Sequence, residues 1–358
     1  MAYVAVTGGK EAIEASLELL RYYRSGGDQD LDIEALRQGL GLLVDRLMGE
    51  AGLYAPELAA LALKQCEGSI EEAVFLLRAY RSTLTRNHTA RPLDGGAMRL
   101  VRRISAAFKD IPGGQMLGPT YDYTHRLLDF SIAQENVQER AAWREAFLGE
   151  QESQELTGSP RVTELLEKEG LLAGCEPPEE QPFDVTAQPL TFPAPRSARL
   201  QTLARADTGY VTGLAYSSLR GFGAVHPTVG ELRSGHVPVT MAHPLNPGET
   251  IWLGEVMLTE VQSFIPDGEH AGGERDNLSI AVGYGVAMGR NENKAIAMSI
   301  LDRELMVEGG APTQSEEFVL MHGDSLESNG FISHLKLPHY VTFQSKLDQV
   351  RHTRVSTE

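Results

Sequence analysis

A chain of 358 residues, 42% of them hydrophobic, has material for about two domains and a sizeable core. Its formal net charge of −17, from 49 acidic against 32 basic residues, argues against general nucleic-acid binding and leaves room only for a local basic pocket. Two cysteines, Cys66 and Cys175, exclude a self-contained four-cysteine zinc or iron–sulfur site and read as reduced thiols of a cytoplasmic protein.

No uninterrupted apolar run reaches about 18 residues, so no membrane span is expected. The opening "MAYVAVTGGKEAIEA" lacks the basic-then-apolar pattern of a secretory signal. Residues 1–95 read as a helical region. Ile13, Leu17 and Leu20 share a face, as do Ile33, Leu36, Leu40, Leu43 and Leu47, and again Ile70, Val74 and Leu77. Gly26-Gly27 and Gly52 punctuate these helices, and Pro56 suits a first turn.

Residues 96–133 form a Gly/Pro/aromatic segment, read as a substrate loop with a helix. Residues 134–195 are acidic and then proline-rich, with one amphipathic helix at "RVTELLEKEGLL", and read as a surface connection without catalytic residues. Residues 196–358 mix strands and helices. "GYVTGLAYS", "IWLGEVMLTEVQSF", "NLSIAVGYGVAMG" and "EEFVLMHG" read as strands, and "NENKAIAMSILDRELM" as a helix. A short helix is expected after Val341. Helices first and mostly strands later predict an α+β fold: an N-terminal helical region, then a mixed, mainly antiparallel sheet domain with packed helices.

Three stretches carry candidate chemistry. In "KDIPGGQMLGPTYDYTHRLLDF", Gly113, Gly114 and Gly118 let backbone approach a ligand, and Asp122 and His125 bring a carboxylate and an imidazole. Arg102, Arg103, Lys109 and Arg126 nearby suit phosphates. The same loop also reads as a plain turn into a helix that buries Leu127, Leu128 and Phe130. "SSLRGFGAVHPTVGELRSG" sets Arg220, His226, Glu231 and Arg233 among glycines, as a site or as ordinary hairpin. In "AVGYGVAMGRNENKA" the glycines miss the dinucleotide fingerprint, and close backbone packing explains them better.

"FISHLKLPHYVTF" places His334 and His339 five apart, a spacing that fits neither one helix face nor one strand face. Pro338 interrupts a helix. Two histidines are an incomplete zinc set, with His322, Asp324 or a residue of another chain as possible third ligands. Spacing alone leaves ordinary surface histidines as the default.

"RRISAAFKDIPGGQMLGPTYDYTHRLLDF", "GELRSG", "EEFVLMHGDSLESNGF" and "SHLKLPHYVTFQ" together resemble the I-subunit family of the bacterial carbon–phosphorus lyase core complex. The resemblance spans nearly the whole chain and fades in residues 134–195. It implies a role in phosphonate catabolism, as a ribose 1-methylphosphonate 5-triphosphate synthase subunit. It implies partners: the G, H and J subunits, and the ATP-binding-cassette K and L proteins. It implies MgATP and an alkylphosphonate as substrates, with adenine displaced, and a nucleosidase activity for the subunit alone. It also implies Zn²⁺ on His334 and His339, shared near a partner subunit.

Such chemistry asks for a carboxylate beside the anomeric carbon, an acid for the leaving base and cations for the triphosphate. Asp122 or Glu231 is the expected carboxylate, and His125 or His226 the expected acid. Arg102, Arg103, Lys109, Arg126, Arg220 and Arg233 are the expected phosphate contacts. The alternative is a scaffold and zinc-sharing subunit whose chemistry resides in its partners.

Overall fold

The computed structural model describes residues 9–27, 30–150, 159–174, 179, 181–223, 226–246, 248–267 and 278–355. Cys175 lies outside the described residues; Cys66 is a free, partly buried thiol. Five helices come first: α1 (Lys10–Arg24), α2 (Ile33–Gly39), α3 (Gly41–Ala51), α4 (Pro56–Gln65) and α5 (Ile70–Thr83). The periodic residues explain four of them. Val44, Leu47, Met48, Ala59, Leu63, Val74 and Leu77 form one buried cluster, with Ile33, Leu36 and Ile70 packed on it. Gly52 closes α3 in the left-handed conformation, and Pro56 opens α4 at its first turn. Helix α1 has the right pattern but buries none of its residues.

Strand β1 (Arg99–Ile104) follows, then a long loop, α6 (Val137–Glu150) and α7 (Thr163–Lys168). Next come α8 (Arg196–Arg205), α9 (Thr208–Ser217), β2 (Thr228–Ala242), β3 (Thr250–Asp267), β4 (Ser279–Met288) and α10 (Glu292–Glu304). The chain ends in α11 (Glu316–Met321), α12 (Ser325–His334) and α13 (Tyr340–Val355). The four strands make one antiparallel sheet in the order β1-β2-β3-β4. The α+β expectation holds.

Helix α10 lies on one face of the sheet. A Cβ on Gly285 would meet the Ala295 carbonyl oxygen at 1.9 Å, and one on Gly283 the Ser299 carbonyl oxygen at 2.1 Å, so these glycines serve close packing. Behind α10, Leu203 of α8, Val211 and Ala215 of α9, and Val319 and Leu320 of α11 complete a second core around Met298 and Leu301. On the opposite sheet face, Val162 and Leu166 pack with Ile111 and Phe264, so the 134–195 connection is not wholly superficial.

Two expected strands are helices. "GYVTGLAYS" forms α9 because the Asp207 carboxylate accepts the Tyr210 N–H at 2.7 Å, and Val211 and Ala215, four apart, face the core. "EEFVLMHG" forms α11, capped by the Ser315 hydroxyl, which accepts the Phe318 N–H. The loop after β1 does not bury Leu127, Leu128 and Phe130, which are 81%, 78% and 76% exposed.

Candidate functional site

The sheet face opposite α10 carries a row of ionised side chains. Register aligns Arg103 of β1 with Arg233 of β2, and Arg233 with Glu260 of β3. Arg103 Nε donates to Glu231 Oε1 at 2.6 Å, its Nη1 to the Pro112 carbonyl at 2.6 Å and its Nη2 to the Pro160 carbonyl at 2.7 Å. The other Glu231 oxygen accepts the Val162 N–H. Arg233 and Arg161 both reach Glu260 Oε1, and the Tyr284 hydroxyl donates to Oε2 at 3.1 Å. Burial pushes the Tyr284 hydroxyl far above its usual range, and Glu260 pushes the same way.

Arg103, Glu231 and Arg233 are thus almost wholly enclosed and matched with one another or with nearby groups. A carboxylate already committed to a guanidinium and a backbone N–H is poorly placed to meet a ribose cation. The expectations of a catalytic Glu231 and phosphate-binding Arg103 and Arg233 do not fit this interior, where the charges brace the sheet. A cavity of about 230 Å³ opens beside the row, between Leu93, Met98, Leu258, Glu260, Tyr284 and Val286.

The other face of β1 presents a different constellation. Arg102, itself buried, donates through Nη1 to the Leu117 carbonyl and through Nη2 to Asp122 Oδ2 at 2.6 Å. Its Nε lies 2.8 Å from Glu292 Oε1, a close ion pair off the N–H direction. Two carboxylates therefore flank one fixed guanidinium. Asp122 is half exposed, and Arg126 approaches its other oxygen at 3.9 Å. Burial raises the Glu292 carboxyl above its ordinary value; Arg102 pulls it down, the Asp122 charge pushes it up, and the net shift is upward. Glu292 went unnoticed in the sequence. Its only local signal is its place in the first turn of α10, 170 positions from Asp122.

The remaining candidates are peripheral. Lys109 is exposed and lines a cavity of about 370 Å³ with Asp110, Ile111, Gly114, Gln115 and Leu117. His125 and His226 are exposed, as is Arg126, which adopts a positive φ of 53°. Arg220 lies over the Tyr216 ring, 5.9 Å from its centroid.

His334 ends α12, and His339 immediately precedes α13. Their ring centroids are 5.2 Å apart at 61°. Each Nδ1 faces a backbone carbonyl, His334 that of Phe331 at 2.5 Å and His339 that of Leu337 at 2.6 Å. An Nδ1–H donated there fixes the tautomer and leaves the Nε2 lone pair free, as metal-binding histidines need. Two imidazoles on one tetrahedral zinc, with Zn–N bonds of about 2.0–2.1 Å, also place their centroids about 5 Å apart. The spacing of the rings is compatible with the ion.

The third ligand is not at hand. Asp324 caps the opposite end of α12 and pairs with Arg78, and His322 Nδ1 faces the Phe318 carbonyl. No group of three potential ligands converges among the described residues. Around the pair, Phe331, Ile332, Leu335, Leu337, Tyr340, Val341 and Phe343 are all more than half exposed.

Fold and constellation describe an α+β protein with an internally neutralised sheet and an exposed pair of histidines; no described helix can cross a membrane. The family model for "Bacterial phosphonate metabolism protein (PhnI)" matches residues 2–357, and the chain belongs to that family. It is 47% identical to the alpha-D-ribose 1-methylphosphonate 5-triphosphate synthase subunit PhnI of Escherichia coli, over 98% of this chain and 97% of that one. It is 44% identical to the subunit of the same name from Rhizobium meliloti, over 98% and 95%. It is 48% identical to a putative C-P lyase subunit protein, HtxH, of Stutzerimonas stutzeri, over 99% and 96%.

Proposed function

We propose that this chain is the subunit that displaces adenine from MgATP with an alkylphosphonate, working with G, H and the cassette-type L partner. The observation that carries the reading is the full-length similarity to relatives named as synthase subunits for alpha-D-ribose 1-methylphosphonate 5-triphosphate. A phosphonate oxygen forms the new bond to the ribose anomeric carbon. The bond to the adenine nitrogen breaks, its electron pair goes to the base, and the base takes a proton. With water as nucleophile the same step is a nucleosidase reaction, which we assign to the subunit alone.

Asp122 suits the stabilising carboxylate, since it pairs with Arg102 and is still reachable. Glu292, with its raised pKa, suits the acid that protonates adenine, and His125 is the nearby alternative. One guanidinium thus holds two carboxylates, one half exposed and one at the first turn of α10. Arg126 and Lys109 are the exposed cations of this loop.

His334 and His339 would hold Zn²⁺, with remaining ligands from solvent, substrate or the J subunit. When bound, zinc supplies Lewis acidity or a structural tie. The exposed apolar collar around the pair supports a subunit boundary there.

The test is release of adenine from MgATP by the co-expressed complex, with and without methylphosphonate. A phosphonate-dependent ribose product is expected; its absence contradicts the reading. The scaffold alternative draws on the internal pairing of Arg103, Glu231 and Arg233. It predicts that no side chain of this subunit is needed for adenine release.

A further inference from the structure

A chain of net charge −17 gathers four arginines at the junction of its helical region with α8 and α12. Arg78 and Arg81 come from α5, Arg86 from the segment after it, and Arg205 from the last turn of α8. Two carboxylates meet them. Arg78 pairs with Asp324, and Arg86 Nη1 with Asp184 Oδ2 at 2.5 Å. Arg81 and Arg205 have no carboxylate partner among the described residues.

The structural uses of the four are unequal. Arg78 caps the end of α3 by donating to the Glu50 carbonyl at 2.7 Å, and also reaches the Arg205 carbonyl. Arg81 Nη1 donates to the Gly52 carbonyl at 3.2 Å. Arg86 is spent on Asp184 and Thr186. Arg205 has no such use: its Nε is buried without a hydrogen-bond partner. A cation suits a helix C-terminus, but that does not require it to crowd other guanidinium groups. A Cβ added to Gly52 would lie 2.8 Å from Arg81 Nη1 and 3.6 Å from Arg205 Nε, so both cations abut the Gly52 turn. Burial, then the charges of Arg78 and Arg81, hold Arg205 down at about 10. Burial, Arg78 and Arg86 lower Arg81 as well.

We infer that Arg81 and Arg205, backed by Arg78, form a binding site for a phosphate-bearing anion. The excess positive charge on guanidinium groups with few structural partners is what a phosphate oxygen would complete. The inference does not rest on the function proposed above. It does offer a location for a polyphosphate that Arg103 and Arg233 cannot serve. Helix α12 links the two places: Asp324 caps it beside the arginines, and His334 ends it, ten residues or about 15 Å away.

The test is calorimetric titration of the full-length chain, as purified with its accompanying subunits, with inorganic tripolyphosphate, pyrophosphate and phosphate at low and high salt. Tripolyphosphate should bind, and more weakly at high salt. Arg205→Gln and Arg81→Gln should each weaken it at least tenfold, Arg205→Lys should retain part of the affinity, and Arg99→Gln, at a distant surface pair, should leave it unchanged. Competition by MgATP but not adenosine would identify the ligand as a nucleotide tail. Tripolyphosphate binding without such competition would identify an independent phosphate ligand, and both results support the site. No tripolyphosphate binding, or equal binding by wild type, Arg205→Gln and Arg81→Gln, would overturn it.

Discussion

The sheet interior and the C-terminal histidine turn hold two polar constellations, and they are opposites. Inside the sheet, Arg103, Glu231, Arg233, Glu260 and Arg161 satisfy one another or nearby backbone groups. At the turn, two imidazoles spend only Nδ1 on the backbone and keep Nε2 free amid exposed apolar side chains. Charged residue types alone do not mark a site. What marks it is bonding capacity left over after the fold has taken its share.

The largest expected effect tests the structural half of this contrast. Glu231→Ala would leave Arg103 buried without its carboxylate, at a loss of about 3–5 kcal/mol. Denaturant unfolding measures it, and a loss under 1 kcal/mol would show that the row does not brace the sheet. Asp122→Ala should assemble normally yet lower adenine release by about 10²-fold or more, in line with a group that acts at the reacting carbon. Release at the wild-type rate would remove Asp122 from the mechanism.

Glu292→Gln sharpens the contrast through pH. The folded chain binds this proton more tightly than the unfolded chain does, since the folded pKa is raised. Ionising Glu292 therefore reduces stability as pH rises above the ordinary 4.5, and below that range the cost vanishes. Glu292→Gln should unfold at a higher temperature than wild type above that range, while losing the alkaline limb of the adenine-release profile, on which release falls as Glu292 deprotonates. An unchanged profile would transfer the acid role to His125. The smallest effect belongs to Arg220→Gln, an exposed side chain stacked on Tyr216: a stability change within about 0.5 kcal/mol.

Much of the fold was legible. Helical periodicity located α2, α3 and α5, and β3, β4 and α10 fall where pattern put them. The errors at α9 and α11 have one cause. Windows of eight or nine residues fit either period, and the deciding groups, Asp207 and Ser315, lie just outside the apolar run. The candidate residues were legible by type but not in their pairing. Arg103 and Glu231 are 128 positions apart, so nothing local announces that each consumes the other. Arg205 is likewise 127 positions from Arg78. The histidine spacing looked poor because α12 ends at His334 and the chain turns before α13; the turn brings together what neither a helix nor a strand could.

The most direct measurement is the zinc content of the purified complex carrying His334→Ala and His339→Ala, set beside wild type. Loss of the metal bound at this subunit, with the complex still assembled, is the predicted result. Unchanged zinc would contradict the assignment of the free Nε2 pair as the metal half-site.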